Sequence, residues 1–229
     1  DLLGENGQPN AYIDMGITAV NVANKYGVSR EAMDHYAQES QMRAVASQES
    51  GFFAREIAPV ILEDGTVIDT DDGPRASSTY ETLASLPEAF GGGGVTAGNS
   101  CPLNDAPRAR IVSSATAGNE PELMGVAPIG AVKKLLDRTG MKIEDIDTVE
   151  LNEAFAAQVI PISEEVGIPL SKLNTHGGAI ALGHPFGMTG ARIMGTLLNV
   201  METDDHQFGI ETMCVAGGMG QAMIVERLS

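Results

Sequence analysis

The 229-residue chain contains few cysteines and no pattern that would pair them. Cys101 and Cys214 are its only cysteines, and they lie far apart without CxxC spacing. A disulfide framework is therefore not expected, and a reducing, cytoplasmic setting fits. Four histidines without paired spacing add no zinc signature, so we expect no bound metal.

Basic side chains are also scarce, with 14 Lys and Arg against 31 Asp and Glu and a net charge of −17. Nucleic acids and anionic membrane surfaces bind basic patches, so this balance argues against both as partners. It leaves room for an anionic ligand held locally at a helix N-terminus. No apolar stretch approaches the roughly 18 residues of a membrane-spanning helix. Residues 1–7 resemble neither an initiator methionine nor a signal peptide, so we expect a piece of a longer polypeptide.

The first part of the chain is predicted to be mainly helical. Residues 16–50 predict two helices that are separated at Gly27, and Ser29 is a suitable N-cap for the second. Residues 57–68 predict extended structure around a turn, and residues 79–90 a short amphipathic segment. The second helix has an apolar stripe that predicts core packing, formed by Met33, Tyr36, Ala37 and Ala44.

Strands and helices alternate after the glycine run at residues 91–94, which is the best candidate for a domain boundary. This alternation predicts an α/β layered domain over residues 107–229. The predicted strands cover residues 110–114, 148–151, 209–215 and 221–227. The predicted helices cover residues 128–139, 152–166 and 190–201.

Three separate segments of the last third carry an amide, an imidazole and a thiol: Asn152, His184 and Cys214. His184 lies between Gly183 and Pro185, and the proline disfavours a helical conformation for the histidine. A single histidine is more often structural, but this glycine and proline setting favours a functional role. The stretch lacks the Gly-Lys-Ser/Thr ending of a phosphate-binding loop, so a nucleotide site is rejected.

The residues themselves leave two interpretations open for Asn152 and for Cys214. Cys214 ends a predicted strand, so it is either a core thiol or a proton donor and acceptor facing a substrate. The N–H groups of the glycine-rich turn after it could face a developing oxyanion. Asn152 is either the N-cap of the predicted helix or an amide that fixes a water or a carbonyl oxygen.

The order and spacing of the motifs resemble the C-terminal half of the thiolase family, the acyltransferases that act on 3-ketoacyl-CoA. The resemblance covers nearly the whole chain and is carried by residues 96–105, 152–155, 177–192 and 214–220. It implies a thiolase-like layered α-β-α-β-α fold, incompletely represented. Residues 1–90 would belong to the CoA-binding loop domain, 91–106 to a segment returning to the N-terminal domain, and 107–229 to the C-terminal domain. Several stretches are most similar to actinobacterial thiolases of lipid or steroid side-chain degradation.

The resemblance also implies roles for individual residues. His184 would take the proton from a nucleophilic cysteine, and Asn152 would hold a water that forms one oxyanion site with His184. Cys214 would protonate the enolate leaving group, or remove the α-proton in the reverse direction. The N–H of Ala216 would contribute to a second oxyanion site.

Ser100 and Cys101 would lie along the pantetheine arm of CoA, which is a substrate rather than a permanently bound cofactor. The family's nucleophilic cysteine has no counterpart in this chain, because Cys101 stands in the returning segment. A strand and a helix of the family are expected to be absent after Asp105. Asp14 stands where some members have a substrate-contacting histidine, so that contact is not carried over.

We therefore expect an acyltransferase of lipid metabolism and β-oxidation, which cleaves 3-ketoacyl-CoA with CoA or runs the reverse Claisen condensation through an acyl-cysteine. A homodimer or tetramer is expected from the family. The alternative is a non-catalytic CoA-binding or assembly subunit with the same fold. A decarboxylating ketoacyl synthase is disfavoured, because Asn152 stands where such enzymes commonly need a second histidine.

Overall fold

A computed structural model describes residues 13–62, 64–101 and 111–227. Its helices are α1 (Met15–Tyr26), α2 (Arg30–Glu49), α3 (Tyr80–Ala84), α4 (Ala127–Thr139), α5 (Ala156–Val166), α6 (Ala179–Leu182) and α7 (Thr189–Thr203). Its strands are β1 (Val60–Ile61), β2 (Val67–Ile68), β3 (Ile111–Gly118), β4 (Thr148–Leu151), β5 (Phe208–Val215) and β6 (Met219–Glu226). Residues 1–7 and the shortened junction after Asp105 lie outside the described residues.

The two predicted helices at the start of the chain are confirmed, and side chains cap both of them. Asp14 accepts a hydrogen bond from the Gly16 N–H at 2.7 Å, and α1 ends at Gly27, whose φ of 67° suits glycine. Ser29 accepts from the Ala32 N–H at 3.1 Å and caps α2. All four residues of the predicted stripe in α2 are buried. The stripe is therefore part of the core, as its spacing predicts.

The segment between the helices and the sheet is only partly regular. β1 and β2 form a short antiparallel hairpin, which confirms the predicted extended structure. Only residues 80–84 of the predicted amphipathic segment are helical. Gly91–Gly94 all have positive φ values, which explains why the chain uses glycine there. The division into domains at residues 90 and 106 stays a prediction.

The second half of the chain forms a four-stranded sheet with the order β3-β6-β5-β4. β4 and β5 are parallel, and the other neighbours are antiparallel. Alternate residues of β6 enter different clusters: Ile224 packs with the core that includes α4 and α5, whereas Val225 packs with α7. Helices therefore cover both faces of the sheet, and the α/β prediction is confirmed.

One predicted boundary is wrong, and the error concerns a candidate site residue. The helix predicted from Asn152 begins at Ala156, and the extended Phe155 precedes it with φ −151° and ψ 140°. The Asn152 N–H instead donates to the Thr212 carbonyl at 3.0 Å and prolongs the pairing of β4 with β5. Asn152 is therefore not an N-cap, which removes one of its two interpretations. Within the described ranges, no helix is long and apolar enough to cross a membrane.

Candidate active site

The sheet topology brings the segments of all three candidate residues to one edge. β4 and β5 run parallel with Leu151 opposite Thr212, so Asn152 and Cys214 both lie at carboxyl ends of neighbouring strands. His184 lies in the loop between α6 and α7. Helix α7 packs across β4 and β5, so its direction decides where this loop lies.

Helix α7 runs antiparallel to the two strands. Gly209 at the start of β5 faces Leu197 and Met201, which belong to the later turns of α7. Gly190 in the first turn instead faces Met213 and Glu211, which lie further along β5. The amino end of α7, and with it the His184 loop, therefore lies over the carboxyl ends of β4 and β5, in agreement with the usual crossover between parallel strands.

The Asn152 side chain is buried, with only 2% of the residue exposed. Neither its amide nitrogen nor its amide oxygen has a hydrogen-bond partner within the described part of the chain. Buried polar groups are almost always paired, and an unpaired one costs about 1–3 kcal/mol. Such an amide, at the same end of the sheet as a candidate histidine and thiol, has the properties of a ligand-binding group.

The chain on both sides of Asn152 is held firmly. Leu151 pairs with the Asn174 side chain, which accepts from its N–H at 2.8 Å and donates to its carbonyl at 2.9 Å. The buried Glu153 carboxylate accepts four hydrogen bonds, which come from the Tyr36 hydroxyl at 2.8 Å, the Ser40 hydroxyl at 2.6 Å, the Asn174 amide at 2.8 Å and the Ile180 N–H at 3.0 Å. Burial, followed by the Glu153 charge, raises the pKa of Tyr36 well above its usual value, so its hydroxyl remains a donor. This network ties α2 and α6 to the residue next to Asn152.

The hydrogen bonds around the His184 ring favour a proton on Nδ1. Nδ1 lies 2.6 Å from the Thr189 hydroxyl oxygen, and the same hydroxyl lies 2.9 Å from the Pro185 carbonyl. A carbonyl only accepts, so the single hydroxyl proton goes to Pro185 when both bonds form. Thr189 then accepts from Nδ1–H, and Nε2 is left with a free lone pair. The exposed Phe186 ring packs edge-on against the imidazole at 5.2 Å.

The surroundings of His184 favour the neutral form. Burial, and to a smaller extent the positive charge of Arg192, lowers the pKa of His184 to about 4. The imidazole is therefore uncharged at neutral pH and can accept a proton.

Cys214 lies in the buried core on the sheet face covered by α5. Its thiol is 3.9 Å from the Gln158 side-chain oxygen, which is a suitable distance for a weak S–H donor. Burial raises the pKa of Cys214 to about 11, so the sulfur carries its proton at neutral pH. Ala216, two residues further on, is exposed in the turn between β5 and β6.

Ser100 and Cys101 lie beside the Asn152 segment. Ser100 forms an isolated antiparallel bridge with Phe155, and the Cys101 N–H donates to the Ala154 carbonyl at 3.3 Å. Burial, above all, raises the pKa of Cys101 to about 12, and a smaller contribution comes from Cys214, which places the two thiols within electrostatic reach. Cys101 is therefore a protonated thiol, consistent with its exclusion as the nucleophile.

A cavity of about 470 Å³ adjoins this segment. Its wall includes Ser100, Cys101 and Ile180, together with Arg75 from the loop before α3. The Ile180 N–H also donates to Glu153, so Ile180 belongs both to the cavity wall and to the hydrogen-bond network next to Asn152. No group of three or more His, Cys, Asp or Glu side chains suited to a metal is found in the described residues.

Several site residues escape prediction from the sequence. The supporting partners Tyr36, Asn174 and Glu153 are distant in the chain, and no local spacing connects them. Thr189 could have been found, because it follows His184 by five residues at a helix start. Arg192 could have been suspected, since a charged residue in the apolar face of a helix is unusual.

The fold and this arrangement define an α/β layered protein with an amide, a histidine and a thiol at one sheet edge. The model of the thiolase C-terminal domain matches residues 105–227, more than half of the chain. The model of the thiolase N-terminal domain matches residues 8–116. The chain belongs to the thiolase family.

Individual relatives agree with this assignment. The acetyl-CoA acetyltransferase of Escherichia coli K12 is 44% identical, over 94% of this chain and 60% of its own length. The dimeric peroxisomal thiolase of Saccharomyces cerevisiae has a TM-score of 0.91 at 39% identity, over 99% of this chain and 63% of its own. Human mitochondrial 3-ketoacyl-CoA thiolase, solved in complex with CoA, has a TM-score of 0.89 at 34% identity, over 94% of this chain and 59% of its own.

These relatives confirm the predicted family and its thiolase-like layered fold. The chain spans about 60% of the length of the curated relatives it matches. The assignment to an actinobacterial subgroup stays a prediction.

Proposed function

We propose that this chain supplies the C-terminal catalytic half of a thiolase, which cleaves 3-ketoacyl-CoA with CoA or runs the reverse condensation. The observation that carries this proposal is the buried amide of Asn152, which has no partner within the described residues and ends a strand beside that of Cys214. The nucleophilic thiol is assigned to a thiolase region outside these 229 residues, because Cys101 stands in the returning segment and Cys214 has the role of the acid.

His184 is the base in the first step. Its Nε2 takes the proton of the nucleophilic thiol, and the sulfur attacks the 3-keto carbon. Thr189 keeps the other ring proton on Nδ1, so only Nε2 accepts. The carbonyl oxygen gains negative charge, which the oxyanion donors stabilise. Asn152 contributes to the site for the enolate oxygen through a bound water, together with His184.

Cys214 is the acid in the same half-reaction. When the bond between C2 and C3 breaks, the enolate of acetyl-CoA takes the proton from the Cys214 thiol, and acetyl-CoA leaves. In the second half-reaction CoA–SH gives its proton to the Cys214 thiolate and attacks the acyl-cysteine. The released cysteine recovers its proton from His184, so both groups return to their starting states. Ala216 donates its N–H to the oxyanion formed on the acyl group.

The cavity beside Ser100 and Cys101 is proposed to hold the pantetheine arm of CoA. Arg75 in its wall is a cation suited to the phosphates, and it is placed on an otherwise acidic chain. We further propose a cytoplasmic location, a role in lipid β-oxidation, and a homodimer or tetramer. The relative named as a dimeric thiolase supports an oligomer.

A non-catalytic CoA-binding or assembly subunit is the second candidate. It is favoured by one observation: neither cysteine of the chain has the lowered pKa of a nucleophile. Such a subunit would bind CoA in the same cavity and never form an acyl-enzyme.

Two measurements separate these functions. Calorimetric titration of the chain with CoA tests the cavity, and Ser100→Trp, which obstructs it, should weaken binding strongly. Intact-mass analysis after exposure to acetyl-CoA then uses the chain joined to an N-terminal thiolase region. A stable acetyl adduct is expected from the catalytic proposal. CoA binding without an adduct would support the subunit instead, and the absence of both would exclude the two functions.

A further inference from the structure

A layer of buried charge lies between α7 and the sheet, directly below the candidate site. Its members are Glu150 on β4, Glu211 on β5 and Arg192 on α7, each less than 10% exposed. Glu150 and Glu211 are register partners in parallel strands, so their side chains project from the same face of the sheet. That face is the one covered by α7, because a Cβ at Gly190 would lie 3.9 Å from the Glu211 Oε1 atom.

These charges do not bind one another directly. All three guanidinium nitrogens of Arg192, both carboxylate oxygens of Glu150 and Oε2 of Glu211 are buried without a hydrogen-bond partner in the described residues. Arg192 also forms none of the ion pairs found there. A buried guanidinium without partners is costly, so we expect bridging waters to complete its hydrogen bonds.

Each of the three members lies within three residues of a side chain that forms or supports the candidate site. Glu150 comes two residues before Asn152, and Glu211 three residues before Cys214. Arg192 comes three residues after Thr189, whose hydroxyl holds the His184 ring. One charge cluster therefore joins the three segments that carry the amide, the imidazole and the thiol.

We propose that Arg192 is a positioning residue, which links Glu150 and Glu211 through water and thereby fixes Asn152, His184 and Cys214 relative to one another. This role rests on the proposed function, because it assumes that these three groups act together. No step of the proposed reaction uses any of the three cluster residues.

The electrostatics agree with a cation held among carboxyl groups. Burial raises the pKa of Glu150 well above its usual value and that of Glu211 to about 7, and the Arg192 charge opposes both effects. Glu56 and Asp71 also lie within reach of Arg192. The Arg192 charge therefore acts on all four of these carboxyl groups and opposes the effect of burial on each.

The test uses the 229-residue chain itself and needs no turnover. The rate of Cys214 alkylation by iodoacetamide, followed by peptide mass spectrometry, reports how often the thiol segment opens. The nitrogen NMR shifts of His184 report its tautomer. Arg192→Met should accelerate Cys214 alkylation about tenfold or more and mix the His184 tautomers, because local opening becomes easier. Arg192→Lys should restore part of both readouts.

The matched control is Arg55→Met, which removes an exposed cation that pairs with Glu202 near the other end of α7. It should change neither readout. If Arg192→Met does not fold, Glu211→Gln gives the same test with a smaller expected change, since only one link of the cluster is lost. Alkylation and tautomer equal to wild type in the folded Arg192 or Glu211 variant would overturn the positioning role. If the Arg192 variant alters both readouts but the chain never supports acyl transfer, the positioning role stands and only the proposed function is refuted.

Discussion

The Glu153→Gln substitution tests how much the hydrogen-bond network next to Asn152 stabilises the fold. The Glu153 carboxylate accepts two hydrogen bonds on each oxygen, from Tyr36 and Asn174 on one oxygen and from Ser40 and the Ile180 N–H on the other. Glutamine keeps the size, but its amide nitrogen faces two donors in place of an acceptor. Two buried donors then lose their partner at about 1–3 kcal/mol each, so we expect a loss of about 2–6 kcal/mol in the free energy of unfolding.

The assay is urea unfolding monitored by far-ultraviolet circular dichroism. Wild type and variant are compared with the same dependence of the unfolding free energy on urea concentration. Glu39→Gln in α2 is the control, because that carboxylate is exposed and its ion pair in the described part of the chain is with Arg43 of the same helix. Such a pair contributes about 0.3–0.5 kcal/mol. A Glu153→Gln midpoint no lower than that of the control would refute the claim that this network holds the site together.

Three further predictions follow from single contacts. Gly178→Ala should lower the unfolding midpoint strongly, because a Cβ there overlaps the Glu153 carboxylate, whereas Gly118→Ala, which meets open space, should leave the midpoint nearly unchanged. Thr189→Val should shift the His184 proton between the two ring nitrogens, seen in nitrogen NMR, and Thr189→Ser should preserve the wild-type shifts. Glu211→Gln should change the pH dependence of stability. The pKa of the Glu211 carboxyl is about 7 in the folded chain and 4.5 in the unfolded chain. The free energy of unfolding of the wild type therefore falls as pH rises between these two values. The variant should lack this part of the fall, and identical pH profiles of unfolding would contradict the pKa assigned to Glu211.

Local patterns in the sequence predict most elements of the fold. The spacing of Met33, Tyr36, Ala37 and Ala44 gives the buried face of α2, and the terminal signals of Ser29 and Gly27 are both used. Such features depend on neighbours within a few residues, which the sequence displays directly. Short elements such as α6 escape, because four residues carry too little periodicity.

In the candidate site, too, local motifs are predictable from the sequence and contacts between distant segments are not. Motif spacing singles out Asn152, His184 and Cys214, but propensity alone misplaces the start of α5 at Asn152. Pairing of the Asn152 N–H with Thr212, sixty residues away, overrides the capping preference. The Glu153 network and the Arg192 cluster depend on contacts between distant segments, so their members have no local signature.

The most direct test of the account is the turnover of 3-ketoacyl-CoA by this chain joined to an N-terminal thiolase region. Alanine at Asn152, His184 or Cys214 removes a group that binds or moves a proton at the reacting carbons, and Gly118→Ala serves as the control. We predict that each of the three alanine variants loses about 10²–10⁴-fold in kcat while the control retains wild-type turnover. Turnover within a few-fold of wild type in all three would contradict the assignment of the amide, the imidazole and the thiol to one catalytic site.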